Sequence, residues 1–541
     1  MCLPANRRVD HVGCVGLPPI APPKTIFAQK FLANWMGDMT NLESEVDKDN
    51  TTPFSMPAFS GRNILIFSDG TGQAGGLVPD EPRSNVYKLF RATRCGPDTN
   101  IDPDKQLAFY DPGLGSKSSG GEIKLSWLRW LYNILSSATG LGITLNVIDC
   151  YAALIQLWRP GDRIFLFGFS RGAYTVRCLG GVLGLCGIPT TMAGGEALLR
   201  DDATVRKIAT EAVRRVYRHG SGASDDPTPK REKRKERLGE QRRKLGEQFR
   251  KKYNSEGPNG ANVVPHFIGV WDTVAAVGLT PPAWAAVRLA ALGLLVAIAA
   301  SLAYFKSVSF DSQFFAWFGI AVTVLGLGGY LVYLGLRIKF ATGLPGYRWY
   351  QTLHLTSFKI TFFDRTLNKN VRYARHALAI DERRADFDRV PWKNEGQPPN
   401  RELEEGAWFQ QYWFAGNHSD IGGSYSENES RLSDLSLGWL ANEAKRAGLL
   451  VNGSLLQLFG RPNGPQHDEC RVGISFLGFN FKWKEKSRKL VDNATLHWSV
   501  KKRLEQPSVQ IYDEEMKYRP EMLREHKLVG GLFEVDTSET V

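Results

Sequence analysis

The chain has 541 residues, of which 43% are hydrophobic and 23% are charged, a globular composition that excludes disorder throughout. The mean hydropathy of −0.27 excludes a polytopic membrane protein, and seven scattered cysteines without a CxxC pair argue against a disulfide scaffold or a structural zinc site. The formal charge is +12, but no helix-turn-helix, zinc-finger or RNP pattern accompanies it, so we expect no nucleic-acid partner.

The chain opens with a polar leader that we expect to be flexible over residues 1–58. Four prolines between Pro18 and Pro23 interrupt it, and it lacks the continuous apolar core of a signal peptide. The short apolar run Ile64–Phe67 then predicts a buried strand.

This first strand ends in the glycine-rich turn Ser68–Gly72. If the strand lies beside the one that carries the nucleophile described next, Gly70 or Thr71 can donate one backbone hydrogen bond to an oxyanion, and the Arg171 N–H can donate the other. A phosphate loop, a metal loop or an aspartic-protease motif are the competing interpretations. The protease would need a second Asp-Thr/Ser-Gly copy, which the sequence lacks.

A candidate nucleophile follows the second predicted strand. The sequence predicts a helix over Ile143–Trp158 and a strand over Arg163–Phe167, which runs directly into Gly168-Phe169-Ser170-Arg171-Gly172. This is the G-x-S-x-G pattern of a nucleophile elbow, in which the two glycines leave room for the turn that exposes the serine hydroxyl. Ser170 is therefore the predicted nucleophile, and a serine in an ordinary tight turn is the alternative.

A strongly basic segment interrupts the pattern of strands. Between Lys230 and Lys252 there are twelve Lys or Arg and four Glu residues, which account for eight of the twelve net charges. Such a run is typical of a solvated helix or a disordered insert, or else of attraction to anionic lipid headgroups.

The third predicted strand, Val263–Trp271, supplies a carboxylate at its end. Asp272 follows it directly and is the predicted orienting acid of a Ser-Asp-His triad. The predicted base is His418, which lies in a loop that follows another short apolar run. His376 is the rival base, in a segment that looks helical, and Asp420 is the second choice of acid unless it holds the His418 loop by a backbone hydrogen bond.

Two uncharged segments predict a membrane hairpin. Leu289–Phe305 has 17 residues and Phe314–Leu336 has 23, lengths close to the roughly 30 Å hydrocarbon core at 1.5 Å per residue. Basic residues on the outer flanks place the large soluble parts on the cytoplasmic side. The alternatives are a pair of buried core helices and a hairpin that stays folded away until the protein meets a bilayer.

The sequence therefore predicts an α/β-hydrolase-like, doubly wound and mainly parallel sheet, with an inserted basic segment and a two-helix transmembrane hairpin. The predicted division is a leader at 1–58, hydrolase core at 59–227, 258–282 and 341–541 (the last part with a C-terminal tail), a basic insert at 228–257 and the hairpin at 283–340.

In the segments that carry these candidate residues, the sequence resembles the uncharacterised α/β-hydrolase-like family that includes the phospholipase effectors of the bacterial type VI secretion system. Five segments match it in order, at Ile66–Thr71, Gly168–Ala173, Gly269–Val274, Arg375–Glu382 and His418–Gly423. The resemblance implies a Ser-Asp-His hydrolase that releases fatty acid from glycerophospholipids. It also makes a secretion-apparatus protein or an immunity protein a candidate partner.

We therefore expect a serine hydrolase of lipid esters that acts at the membrane with lipids as partners, through an acyl-enzyme and without a metal or organic cofactor. Two alternatives stay open at this point. One is a membrane-anchored esterase or acyltransferase for a soluble substrate, and the other is an inactive membrane scaffold on a hydrolase fold.

Overall fold

The computed structural model describes residues 61–70, 82–112, 141–221, 229–258, 260–274, 292–293, 295–304, 314–355, 367–392, 402–403, 406–476, 479–490 and 494–533. The leader predicted over residues 1–58 and the oxyanion candidate Thr71 lie outside these ranges.

A six-stranded parallel sheet forms the centre of the fold. Its strands are β1 (Asn63–Ser68), β2 (Gln106–Asp111), β3 (Arg163–Phe169), β4 (Phe267–Trp271), β5 (Tyr373–Ala379) and β6 (Phe409–Phe414). They lie in the order β6-β5-β4-β3-β1-β2, and all five neighbouring pairs are parallel. The order reverses between β1 and β3, which opens a crevice at their carboxyl ends where ligands of such sheets bind. The prediction of a doubly wound parallel sheet is confirmed.

Helices cover both faces of this sheet. The described helices include α1 (Asn85–Thr93), α2 (Leu141–Leu157), α3 (Arg171–Cys186), α4 (Asp202–Thr210), a π-helix (Glu211–Tyr217), α5 (Pro229–Tyr253), α6 (Phe314–Arg337), α7 (His418–Gly422), α8 (Arg431–Arg446), α9 (Glu469–Val472) and α10 (Trp498–Leu504), with short 3₁₀ turns at Trp349–Thr352, Ala385–Phe387 and Glu521–Leu523. Residues 292–293 and 295–304 are helical as well. One core contains α2, α3, α4 and the π-helix, and the other contains α1 and α8.

Alternate residues of β1 to β4 enter these two cores, whereas Leu378 of β5 and Trp413 of β6 belong to a third core built with residues of the C-terminal part. Ile64 and Ile66 of β1 pack against the first core, whereas Leu65 and Phe67 pack against the second. Both faces are therefore apolar, which is why the strands read as continuous hydrophobic runs in the sequence. Each fully buried Leu, Ile or Phe side chain contributes about 1.5–3 kcal/mol to the stability of the fold.

Five two-stranded antiparallel pairs decorate the described part of the chain. They are Glu256–Gly257 with Gly260–Ala261, Ile338–Lys339 with His354–Leu355, Glu402–Leu403 with Gly406–Ala407, Ile474–Phe476 with Phe479–Phe481, and Val509–Ile511 with Glu514–Met516.

The segment around His376 is a strand, so its helical prediction is wrong. It forms most of β5, and every residue of that strand is buried. Arg375 is also buried, and its Nε donates to Glu443 at 2.6 Å. Pairing with β4 and β6 overrides the helical propensity of the sequence.

The transmembrane hairpin predicted over 283–340 is also wrong. Among the residues that the structure describes, no helix has both the length and the apolar character needed to cross a bilayer. The prediction rested on the absence of charged residues in the sequence, which does not by itself establish a membrane-spanning helix. The membrane location stays a prediction.

The basic segment forms a helix, α5, with one buried side. Leu238, Leu245, Phe249 and Tyr253 are buried at helical spacing, and the last three of them belong to the first core. The helical interpretation of the run is therefore confirmed, and six of its cations are exposed, at Lys233, Arg234, Arg237, Arg243, Lys251 and Lys252. Attraction to anionic lipid stays a prediction.

Candidate active site

Ser170 lies in the sharp turn between β3 and α3. Its backbone adopts φ 58° and ψ −120°, a region that non-glycine residues rarely occupy and that often marks functional sites. The Ser170 N–H donates to the Trp271 carbonyl at 3.1 Å, and the Ser170 carbonyl accepts the Tyr174 N–H at 3.2 Å. The hydroxyl makes no capping hydrogen bond to α3, so the strained turn does not use it for structure.

The glycines on either side of Ser170 have a packing cause. A Cβ atom on Gly168 would lie 2.5 Å from the Gly172 carbonyl oxygen, and one on Gly172 would lie 2.0 Å from the Ser68 carbonyl oxygen. Only glycine therefore lets α3 begin directly against the ends of β1 and β3. This explains the spacing of the G-x-S-x-G pattern.

The side chains of Asp272 and His418 meet at the carboxyl edge of the sheet. Asp272 follows β4, His418 begins α7 after β6, and His418 Nδ1 lies 2.5 Å from Asp272 Oδ2. Burial alone would raise the pKa of the Asp272 carboxyl, but Arg488 and the hydrogen bond to His418 hold that pKa well below its ordinary value. Asp272 is therefore a carboxylate that can orient the imidazole ring and stabilise its protonated form.

Arg488 was not anticipated from the sequence. Its Nη1 donates to Asp272 Oδ1 at 2.6 Å and its Nη2 donates to Asp272 Oδ2 at 3.0 Å. It comes from a lysine-rich stretch, Lys482–Lys489, in which nothing marks one cation as buried, yet only 4% of its surface is exposed. No local pattern in the sequence could have identified it.

Phe169 connects the elbow to the histidine. Its ring stacks on the His418 ring with centroids 4.6 Å apart, and a Cβ on Gly422 would lie 1.9 Å from Phe169 Cε2. The elbow and α7 are therefore in direct contact next to Ser170, which is 6% exposed. His418 Nε2, the nitrogen that a nucleophile would face, is buried and has no hydrogen-bond partner among the described residues.

The backbone of the His418 turn is held by two carboxylates. Asp420 Oδ2 accepts the N–H groups of Asn417 and His467, each at 3.0 Å, and Glu382 Oε2 accepts the His418 N–H at 3.2 Å. Asp420 thus makes the loop-holding bond considered as its alternative role. The acid that contacts the imidazole is Asp272.

The side chain of His376, the rival base, has other hydrogen-bond partners than the His418 side chain. It is fully buried in β5, where Nδ1 lies 3.1 Å from Gln411 Oε1 and Nε2 lies 3.3 Å from Thr273 Oγ1. Burial first, and then the nearby Arg177 charge, lower the pKa of its imidazole well below the ordinary value. Both ring nitrogens therefore have partners within the core, and the ring stays neutral.

The oxyanion candidates lie where β1 and β3 end. A Cβ on Gly70 would lie 3.6 Å from Ser170 Cβ, so this turn does approach the serine, but the Gly70 N–H already donates to Asp69 Oδ1 at 2.6 Å. Arg171 is the first residue of α3, and burial lowers the pKa of its guanidinium to about 10.

Asp69 is engaged by hydrogen-bond donors. Its Oδ2 accepts the hydroxyl groups of Ser84, at 2.5 Å, and Tyr110, at 2.6 Å. Among the described residues, no group of three or more His, Cys, Asp or Glu side chains is arranged to hold a metal ion. This geometry favours a structural role for the Asp-Gly turn over a metal loop.

The chain matches a known protein family over most of its length. Residues 62–313 and 340–443 match the family described as "T6SS, Phospholipase effector Tle1-like, catalytic domain". The matched ranges contain Ser170, Asp272 and His418 but not Arg488.

Individual relatives are more distant. An uncharacterized protein of Saccharomyces cerevisiae is 32% identical over 132 residues, which cover 24% of this chain and 18% of that protein. The crystal structure of an uncharacterized protein from Pseudomonas aeruginosa is similar over 81% of this chain and 52% of that one, with 16% identity and a TM-score of 0.30. A Tle1 effector bound to the VgrG spike of a type VI secretion system is similar over 71% and 57%, with 15% identity and a TM-score of 0.25. This chain thus spans less than two thirds of each of these proteins.

Proposed function

The chain belongs to the family of Tle1-like phospholipase effectors of the type VI secretion system, and on this premise we propose that it cleaves the carboxylic ester bonds of glycerophospholipids. The observation that carries the proposal is the buried Asp272–His418 hydrogen bond at the sheet edge where the Ser170 elbow emerges. A nucleophile elbow beside an oriented histidine is the arrangement that acyl transfer requires.

In the proposed reaction the Ser170 oxygen attacks the acyl carbonyl while His418 Nε2 takes the serine proton. Asp272 holds the opposite ring nitrogen, fixes the tautomer and stabilises the imidazolium that forms. The imidazolium then returns its proton to the departing alcohol, which leaves an acyl-enzyme. Water, activated by the same histidine, releases the fatty acid and restores the serine.

The tetrahedral intermediate carries a negative charge that needs hydrogen-bond donors. We assign the Arg171 N–H, at the positive end of α3, as the first donor. The Gly70 N–H supplies the second when it exchanges its bond to Asp69 for the oxyanion. Each such donor lowers the barrier by about 3 kcal/mol.

The family also bears on partners. We propose that the protein associates with a component of the type VI secretion apparatus, because its catalytic domain is of the type carried by effectors of that system. Co-purification with the spike protein of a matching secretion system tests this, and absence of binding at micromolar concentrations of both proteins would contradict it. Contact with membrane lipids follows from the proposed substrate.

Purified protein incubated with phospholipid vesicles tests the activity, with mass spectrometry to identify the products. We expect free fatty acid and lysophospholipid from the wild type and none from Ser170→Ala. A fluorophosphonate probe should label the wild type and leave Ser170→Ala unlabelled. Turnover of short soluble esters without phospholipid turnover would point to the esterase alternative, and an unlabelled, inactive wild type would point to the scaffold.

A further inference from the structure

We propose that Arg488 is a positioning residue of the active site, which keeps Asp272 in the orientation that His418 needs. The inference rests on the proposed function for its kinetic consequences. The structure records no contact between Arg488 and Ser170. Arg488 therefore acts through Asp272 and through Phe387, whose ring packs against His418.

The first argument is how the hydrogen-bond donors are divided between the two carboxylate oxygens of Asp272. Oδ1 accepts the Ala379 N–H at 3.1 Å and Arg488 Nη1 at 2.6 Å, whereas Oδ2 accepts Arg488 Nη2 at 3.0 Å and His418 Nδ1 at 2.5 Å. The planar guanidinium therefore clamps both oxygens and prevents rotation of the carboxylate. Without it, Oδ1 would keep only the backbone bond.

The second argument is charge. Asp272 is fully buried, and a buried carboxylate without a cation tends to take up a proton. Arg488 is the permanent positive charge in contact with it, because guanidinium groups stay protonated inside proteins. The pair keeps the acid ionised while His418 alternates between its neutral and charged forms.

The third argument is that Arg488 also holds Phe387, whose ring packs against the His418 ring. Its Nη2 also donates to the Phe387 carbonyl at 2.6 Å, and the Phe387 ring lies edge-on to the His418 ring with centroids 5.2 Å apart. Its Nη1 donates to the Ala379 carbonyl at 3.1 Å. One side chain thus fixes both the acid and the aromatic ring that packs on the base.

The test compares Arg488→Met, which removes the charge, with Arg488→Lys, which keeps it without the planar fork. We expect kcat on a soluble ester to fall about 100-fold in the first and about tenfold in the second, since small misplacements of catalytic groups have effects of this size. KM should stay within about threefold because the recorded partners of Arg488 are Asp272 and the carbonyls of Ala379 and Phe387, and none of these is proposed to bind substrate.

The matched control is Arg503→Lys. Arg503 is another fully buried arginine of the C-terminal part, and its Nη1 donates to the carbonyls of Pro462 and Gly464 rather than to the site. We expect this variant to lose thermal stability but to keep kcat within about threefold at a temperature where it is folded. An equal kcat loss in both lysine variants would overturn the positioning role.

The pH dependence of kcat distinguishes a positioning role from a loss of protein stability, because lower stability alone would not shift it. The charged and titratable groups around Arg488 and its partner are Asp272, His418, Glu382, Asp388, Arg384 and His376. Loss of the cation favours protonated Asp272, so the acid limb of kcat for Arg488→Met should move to higher pH by about one unit or more. An unchanged limb with kcat within threefold of the wild type would refute the proposal.

A proton NMR measurement separates this proposal from the proposed function. The His418 Nδ1 proton, hydrogen-bonded to Asp272, should give a strongly downfield resonance in the wild type and in Arg503→Lys. We expect it to shift or disappear in Arg488→Lys, which also serves if Arg488→Met does not fold. This readout needs no substrate, so it stands even if the wild type hydrolyses no ester, and an unaltered resonance would overturn the positioning role.

Discussion

Asp272 and Asp111 are two buried carboxylates at the ends of strands in the same sheet, and they differ in their charged neighbours. Asp272 is clamped by the Arg488 guanidinium, and its pKa lies well below the ordinary value. Among the described residues, the Ser68 hydroxyl and the Asn146 amide donate to Asp111, both at 2.8 Å, and burial first, with the nearby Asp149 charge, raises its pKa to about 7.

Burial acts on both acids in the same direction. The charged neighbours therefore separate the two acids: Arg488 lowers the pKa of Asp272, whereas Asp149 adds to the effect of burial on Asp111, and the neutral hydrogen bonds to Asp111 do not offset this. An acid that is protonated near neutral pH cannot stabilise an imidazolium, so of the two only Asp272 suits a catalytic role. The following predictions test this contrast.

The largest effect is expected where the ionised acid meets its base. His418→Ala should lower kcat by about 10⁶-fold, as loss of the histidine does in other triads whose members act as a unit. The matched variant His376→Ala removes an equally buried imidazole that contacts Gln411 and Thr273 instead. It should keep kcat within about tenfold, measured on a soluble ester below its unfolding temperature, and the reverse ranking would make His376 the base.

Asp272→Asn should lower kcat by about 10⁴-fold, because an amide cannot hold the imidazole in the required tautomer. It also leaves the Arg488 charge buried without its partner, which should lower the free energy of unfolding by about 3–5 kcal/mol. Steady-state kinetics and urea unfolding measure the two effects. A variant with kcat within tenfold of the wild type would remove Asp272 from the mechanism.

Asp111 should make the free energy of unfolding depend on pH. Its pKa is raised in the folded protein, so its stabilising contribution is complete below pH 4 and is lost as pH rises through about 7. Relative to Asp111→Asn, the wild-type free energy of unfolding should therefore fall by about 4 kcal/mol between pH 4 and pH 8. Urea unfolding at a series of pH values measures this, and parallel curves would contradict the raised pKa.

The smallest effect should come from giving Asp111 a cation. Asn146→Lys places an ammonium group beside this carboxylate and should reduce the pH-dependent loss of stability by about 1–2 kcal/mol. Asn146→Leu is the control, since it removes the same hydrogen bond without adding charge and should leave the loss as large or larger. Equal behaviour of the two variants would mean that charge does not decide the state of Asp111.

Three strands of the sheet and the residues at their ends could be predicted from the sequence because each depends on local pattern. Apolar runs located β1, β3 and β4, and the glycine spacing located the elbow at Ser170. The order of strands then brought Asp272 and His418 to one edge. These steps need only period and chain order.

What the sequence did not reveal depends on contacts between distant segments. Arg488 is one cation in a lysine-rich stretch until the fold buries it against Asp272. The strand around His376 has helix-favouring residues that only pairing with β4 and β6 overrides, and the predicted hairpin came from counting uncharged residues without knowing how they fold. The Gly70 N–H, proposed as an oxyanion donor, turned out to be bonded to Asp69.

The distance along the chain between Asp272 and Arg488, 216 residues, also sets an order of events during protein synthesis. A ribosome adding about 5–20 residues per second needs roughly 10–40 s to pass from one to the other. Throughout that interval the nascent chain already contains the serine and the acid but not the guanidinium that clamps the acid. The candidate site is therefore completed only when Arg488 has been translated, which delays its assembly inside the cell that makes the protein.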